Sequence, residues 1–138
     1  MRVLLDTHIA LWSMYEPRRL SPLSVEILSD QKNELFVSLA SAWEVEIKHG
    51  IGKLDVPSEA FVDDCKAMGF NLLPISEKHV TTLSLLEKAD NGHKDPFDRM
   101  LLAQSVSEGM KFLTEDSKIL EYSLPNIIRP AQLRCGRT

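Results

Sequence analysis

Short apolar runs alternate along this chain with longer stretches of helical periodicity, and no other feature limits its possible folds as tightly. Val3-Leu4-Leu5, Leu35-Phe36-Val37, Phe70 to Ile75, Met110 to Leu113 and Asn126 to Ile128 read as strands, with Pro74 marking a strand end or an edge. Helical patterns separate them. His8 to Met14 is the first. Ser21-Pro22 offers an N-cap with proline at the first helical position, opening a helix to about Leu28. Ser41 to His49 is helical, ended by Gly50, and Ser58 caps a helix that stops at Gly69. Ser76 caps another, to about Leu86. After the polar stretch Lys88 to Lys94, with its Asn91-Gly92 turn signal, Asp95-Pro96 opens a helix to Glu108 that Gly109 stops. Ser117 to Tyr122 is a short last helix. Strands alternating with helices predict an α/β fold whose parallel sheet is covered on both faces.

At 138 residues, with no internal repeat, low-complexity block or linker, the chain fits a single core. No apolar run approaches the ~18 residues of a membrane span. Asp6 arrives before any signal-peptide apolar region forms, so a cytoplasmic protein is expected. Cys65 and Cys135 lack CxxC partners and read as free thiols. The net charge of −4 leaves no global basic footprint and counts mildly against a simple nucleic-acid coating module, so any nucleic acid must bind through a local patch or a bound cation.

In a parallel sheet, ligands bind at the carboxyl ends of the strands, and acids recur there. Asp6 follows the first strand, Glu44 lies on the helix after the second, Asp95 and Asp98 open the long helix, and Asp116 follows Leu113-Thr114. Gathered together they would repel one another, and a hard divalent cation such as Mg²⁺ or Mn²⁺ would neutralise them through oxygen ligands. Each also has a plainer reading. Asp6, Asp95 and Asp116 suit helix caps, Asp98 suits the dipole of a first turn, and Glu44 suits a solvated face, as does its neighbour Glu46. The histidines His8, His49, His79 and His93 have no paired spacing and read as surface or packing residues rather than a zinc site. GxSxG, GxxxxGK[ST] and GxGxxG are absent. Trp12 and Trp43 are expected mainly in core packing, with base stacking as the alternative.

Four segments carry a resemblance. Val3 to Trp12 (VLLDTHIALW) is similar to the first motif of PIN domains of the VapC toxin kind. SAWEVEIK with GKL, from Ser41 to Leu54, resembles the second, His93 to Gln104 (HKDPFDRMLLAQ) the third, and Leu113 to Asp116 (LTED) the fourth. The likeness runs from about residue 2 to 128 in the family's order. It implies a PIN-like three-layer α/β/α sandwich around a mostly parallel sheet of about five strands. That domain would occupy residues 1–130, with 131–138 an unmatched tail.

The resemblance puts the metal-binding and catalytic acids on Asp6, Glu44, Asp98 and Asp116. Asp6, Glu44 and Asp98 would hold the main ion, and Asp116 would complete that site or a second one. Asp95, Thr114 and Arg99 are supporting candidates; Lys48, Lys94 and Arg99 are candidates for phosphate contacts, each readable instead as a solvated or ion-paired charge. The implied activity is Mg²⁺- or Mn²⁺-dependent hydrolysis of RNA to 3′-hydroxyl and 5′-phosphate ends, by a homodimeric toxin held by a cognate antitoxin. Two rivals remain. One is a PIN-fold RNA- or protein-binding scaffold, against which retention of all four acids counts. The other is a metal-dependent phosphatase, which would want an aspartate where His8 stands.

Overall fold

The computed structural model describes residues 1–86 and 95–129. The Asn91-Gly92 turn signal, His93, Lys94, Cys135 and the tail from 131 lie outside the described residues. The strands are β1 (Arg2–Leu5), β2 (Glu34–Ser38), β3 (Asn71–Leu73) and β4 (Lys111–Leu113). The helices are α1 (Thr7–Tyr15), α2 (Pro22–Ser29), α3 (Leu39–Gly50), α4 (Ser58–Ala67), α5 (Glu77–Thr82), α6 (Pro96–Glu108) and α7 (Ser117–Leu120). Turns of 3-10 helix follow α1 at Pro17–Arg19 and α5 at Leu83–Leu86.

The four strands form one sheet in the order β3-β2-β1-β4, every neighbouring pair parallel. β1 is therefore central, and alternation along it divides the core. Val3 and Leu5 join Ile9, Ala10, Ile27, Phe61 and Cys65 on one face. Leu4 faces the other way, among Leu101, Leu102, Phe112, Ile119 and Tyr122. Helices α1, α2 and α4 thus cover one face and α6 and α7 the other, which is the expected three-layer arrangement.

The expected fifth strand is reduced to a bridge. Ile127 pairs in parallel with Phe112 alone, through Phe112 N–H to Asn126 and Ile128 N–H to Phe112. The Ile127 carbonyl is taken by the Arg129 guanidinium at 3.2 Å, which also gathers the carbonyls of Leu120, Tyr122 and Leu124. Among the described residues the pairing does not extend beyond that bridge, so the sheet has four strands.

Other boundaries moved for local reasons. α3 starts at Leu39 rather than Ser41, because the Ser38 hydroxyl accepts from Ala40 N–H at 2.9 Å. It runs through Gly50; the left-handed residue is Gly52, at φ 77°. Pro57 occupies the N-cap expected for Ser58, whose hydroxyl instead donates to Glu46 Oε1 at 2.6 Å. Trp43 is not in the core: it is 59% exposed, with its ring edge-on to Phe97 at 5.1 Å. Cys65 is buried, and burial followed by the Asp64 charge pushes its thiol up to about 12, leaving it chemically inert. α6 ends as expected at Gly109, in left-handed conformation with φ 68° and ψ 32°.

The two glycines give substitutions of opposite sign. At Gly109 an added Cβ meets nothing within 4 Å, so Gly109→Ala is expected to cost about 1 kcal/mol through backbone strain alone. Gly50 is helical, with the same open space around it, and Gly50→Ala is expected to stabilise by up to about 1 kcal/mol. Urea midpoints that shift in opposite directions would bear this out.

Candidate active site

β1 and β4 are neighbours with Leu5 in register with Leu113, so the next residues along, Asp6 and Thr114, meet at the carboxyl edge of the sheet. The chain leaves β1 toward β2 on one side and returns to β4 on the other, which makes this edge the crevice where an open α/β sheet binds ligands.

Asp6 stands at the N-cap position of α1, yet its carboxylate makes no capping hydrogen bond. It accepts instead from the Thr114 hydroxyl at 2.7 Å, and it is only 3% exposed. Thr114 Oγ1 in turn accepts from Asp116 N–H at 3.0 Å, so one hydroxyl fixes both acids. Burial pushes the Asp6 carboxyl up to about 6; the Thr114 bond and the His8 charge oppose this, and the charges of Glu44 and Asp116 add to it. Glu44 and Asp116 are therefore each within electrostatic reach of Asp6.

Glu44 is 7% exposed. Its Oε2 receives the Lys48 ammonium at 2.9 Å, one helical turn on, while its Oε1 is buried with no hydrogen-bond partner among the described residues. α3 is pinned to α1 by a buried hydrogen bond of 2.7 Å between the Thr7 and Ser41 hydroxyls. The two are 34 residues apart, and no signal in the sequence links them. Asp116 does cap α7, accepting from Lys118 N–H through Oδ1 at 2.9 Å. Its neighbour Glu115 serves α2, accepting from Ser21 N–H at 2.9 Å and the Ser24 hydroxyl at 2.6 Å.

Asp95 is a helix cap, its Oδ1 accepting from Phe97 and Asp98 N–H at 2.9 and 3.0 Å. Asp98 sits half-buried in the first turn of α6. Arg99 donates to the Leu83 carbonyl at 3.4 Å, tying α6 to the turn after α5. Asp6 and Asp116 line a cleft of about 280 Å³ with His8, Trp12, Arg19 and Glu115; among the described residues its lining includes neither Glu44 nor Asp98. No three His, Cys, Asp or Glu side chains among the described residues stand close enough to enclose an ion as they are. Asp6, Glu44 and Asp116 form a loose group rather than a closed cage. His79 serves the packing of two helices instead. Its Nδ1 accepts from Ser76 N–H at 2.9 Å and its Nε2 meets Glu108 at 2.7 Å, joining α5 to α6.

The profile of the PIN domain matches residues 3–123. The chain belongs to the PIN-domain family. Over 127 residues this PIN domain is 28% identical to Ribonuclease VapC22 of Mycobacterium tuberculosis (strain ATCC 25618 / H37Rv), covering 89% of this chain and 93% of that one. Its fold is also that of VapBC2 from Rickettsia felis, bound to a promoter DNA fragment, at a TM-score of 0.68 and 16% identity, with 93% of this chain and 96% of that chain covered. A toxin-antitoxin complex from Klebsiella pneumoniae matches at 0.63 and 19%, covering 93% and 97%.

Asp6 supplies a test in the metal-free protein. Its folded pKa, about 6, lies above its ordinary value of 3.8. Its favourable contribution is thus complete below about pH 4 and lost as pH rises through about 6, beyond which the ionised carboxylate costs the fold roughly 3 kcal/mol. Asp6→Asn is expected to be more stable than the parent by about 2–3 kcal/mol near neutral pH in EDTA, with the gap closing near pH 4. Urea unfolding across that range checks both the size and the direction.

Proposed function

We propose that this PIN domain is a metal-dependent endoribonuclease that hydrolyses RNA phosphodiesters, and that it is the toxin of a toxin–antitoxin pair. The observation that carries the reading is the buried Asp6 carboxylate, crowded by Glu44 and Asp116 at the carboxyl edge between β1 and β4. Crowded acids with a raised pKa mark functional sites more often than structural ones. A family relative named as a ribonuclease and structural neighbours that are toxin–antitoxin complexes support the same reading.

The donor set suits a hard divalent cation, Mg²⁺ or Mn²⁺. The partnerless Oε1 of Glu44 is a buried acceptor in want of a positive partner, and the mutual repulsion around Asp6 is what a cation relieves. In this reading Asp6, Glu44 and Asp98 would hold the ion, and Asp116 would complete that site or a second one. When bound, such an ion supplies a water of lowered pKa and neutralises charge on the phosphoryl oxygens. The protein's own part is orientation. Thr114 holds Asp6 in place through its hydroxyl, and the Thr7–Ser41 bond sets the distance of α3, and with it Glu44, from α1. Lys48 balances the charge of Glu44 through their ion pair.

An exposed apolar stripe supports the partner reading that the family suggests. Leu39, Trp43, Ile47 and Ile51 stand four residues apart along α3 and its end, all exposed, an apolar stripe of the kind that a partner covers. A cognate antitoxin and a second copy of the chain are the proposed occupants of the toxin's surfaces.

Purified protein incubated with cellular RNA is expected to give discrete fragments with Mg²⁺ or Mn²⁺ and none in EDTA. Asp6→Asn and Glu44→Gln should each lower cleavage by at least about 10²-fold, the scale on which a positioned charge contributes to catalysis. Cleavage that survives both substitutions would remove the acids from the mechanism. A folded protein that never cuts would return the scaffold reading.

A further inference from the structure

The three residues that leave β4 are each held by a different part of the fold. Thr114 donates to Asp6, at the end of β1, at 2.7 Å. Asp116 opens α7, accepting from Lys118 N–H at 2.9 Å, while its own N–H donates to Thr114 Oγ1 at 3.0 Å. Between them Glu115 reaches across to α2. One oxygen, Oε2, accepts from Ser21 N–H at 2.9 Å and from the Ser24 hydroxyl at 2.6 Å. Ser24 is 1% exposed, so the shorter bond is sheltered from water, and a charged acceptor strengthens both bonds. The partners are 94 and 91 residues away, and no local signal in the sequence joins them.

α2 does not need this carboxylate for its cap. The Ser21 hydroxyl already fills that role, accepting from Ser24 N–H at 3.1 Å. What the tie does is join two walls of a cleft. The cleft of about 280 Å³ is lined by Asp6, His8 and Trp12, by Arg19 in the turn after α1, and by Glu115 and Asp116. Arg19 stands two residues before Ser21, so Glu115 fastens the segment that carries Arg19 to the loop that carries Asp116. Asp116 is half-buried on that short loop, and the direction of its carboxylate depends on how the loop is held. Thr114 holds it from the sheet, and Glu115 holds it from α2.

We propose that Glu115 is a positioning residue for the cation site, setting through its tie to α2 the direction in which Asp116 presents its carboxylate to the cleft. Glu115 acts through Asp116, because its own Oε2 is committed to the two serines. The inference rests on the ribonuclease reading and deepens it, by adding a residue outside the four acids on which metal affinity depends. Partners that orient metal-binding side chains typically contribute about 10- to 100-fold in metal affinity or activity.

The test measures Mn²⁺ binding by calorimetry on metal-free protein without RNA, with RNA cleavage assayed in parallel. Glu115→Ala is expected to weaken Mn²⁺ binding about tenfold and to slow cleavage by a similar factor. Glu115→Gln should restore both, since an amide oxygen can accept the same two bonds. Ser24→Ala, which removes the shorter bond and keeps the Glu115 side chain, should give an intermediate loss. In an Asp116→Asn background Glu115→Ala should cost nothing further, because its effect passes through Asp116. Asn33→Ala removes the side-chain bond to the Ile27 carbonyl near the other end of α2, and should leave Mn²⁺ affinity unchanged.

Unchanged Mn²⁺ affinity in Glu115→Ala overturns the proposal. So does a loss that Gln fails to restore, or one that adds in full to Asp116→Asn, as a merely structural contribution would. If Glu115→Ala does not fold, Ser24→Ala in the two backgrounds decides by the same criterion. Failure of these comparisons in a protein that still cuts RNA leaves the nuclease reading intact. A wild-type protein that binds Mn²⁺ but never cuts removes the nuclease reading and leaves the Mn²⁺ comparison to decide on Glu115. A wild-type protein that binds no Mn²⁺ overturns both.

Discussion

A carboxylate buried at the end of the central strand is the constraint on which the rest of the molecule turns. Asp6 follows three wholly buried residues and is itself almost inaccessible, so its charge has lost most of its water without an ion-pair partner among the described residues. An ionised group in that position is tolerated only where hydrogen bonds and neighbouring structure hold it. Thr114 provides the bond, and it is at hand because β4 lies beside β1 in a register that sets residue 6 against residue 114. Move that register by one residue and the hydroxyl points to the opposite face. Sheet order, register and the state of one acid are thus a single fact.

The surrounding helices hold the site open from several sides. α1 and α2 pack on the face shared with α4, and Glu115 binds the N-terminus of α2 while its neighbour Asp116 stays with the cleft. Two adjacent acids of the same loop therefore have different roles, one structural and one facing the cleft. α3 reaches both faces, with Val45 in one core and Ala40 in the other, and it carries Glu44 inward while Trp43 points to solvent. A helix that buries an acid and exposes a tryptophan inverts the ordinary hydrophobic pattern. Such an inversion is stable only because Lys48 shields the acid from the same helix.

The electrostatic arrangement extends from the acids to the cleft beside them. Carboxylates gather at the sheet edge, and His8, Trp12 and Arg19 line the cleft beside Asp6 and Asp116. Crowding of like charges at its centre is what a bound cation would relieve in the proposed function.

Much of this was legible in the linear chain. Apolar runs of strand length, helical periodicity and end signals such as Ser21-Pro22, Ser76, Asp95-Pro96 and Gly109 dictate α/β architecture, because they act through neighbours a few residues away. Family motifs named the acids for the same reason, since each motif is contiguous. What the tertiary structure alone decided depends on partners distant in sequence. The last strand shrank to a single bridge on Phe112, Ser41 turned from helix start to buried tie with Thr7, and Trp43 went to the surface. The plainer reading of Asp6 as a helix cap gave way to the Thr114 hydroxyl, 108 residues away. Local chemistry fixes which element forms, whereas burial and long-range pairing fix which atoms remain free to act, and those are properties of the packed molecule rather than of any segment.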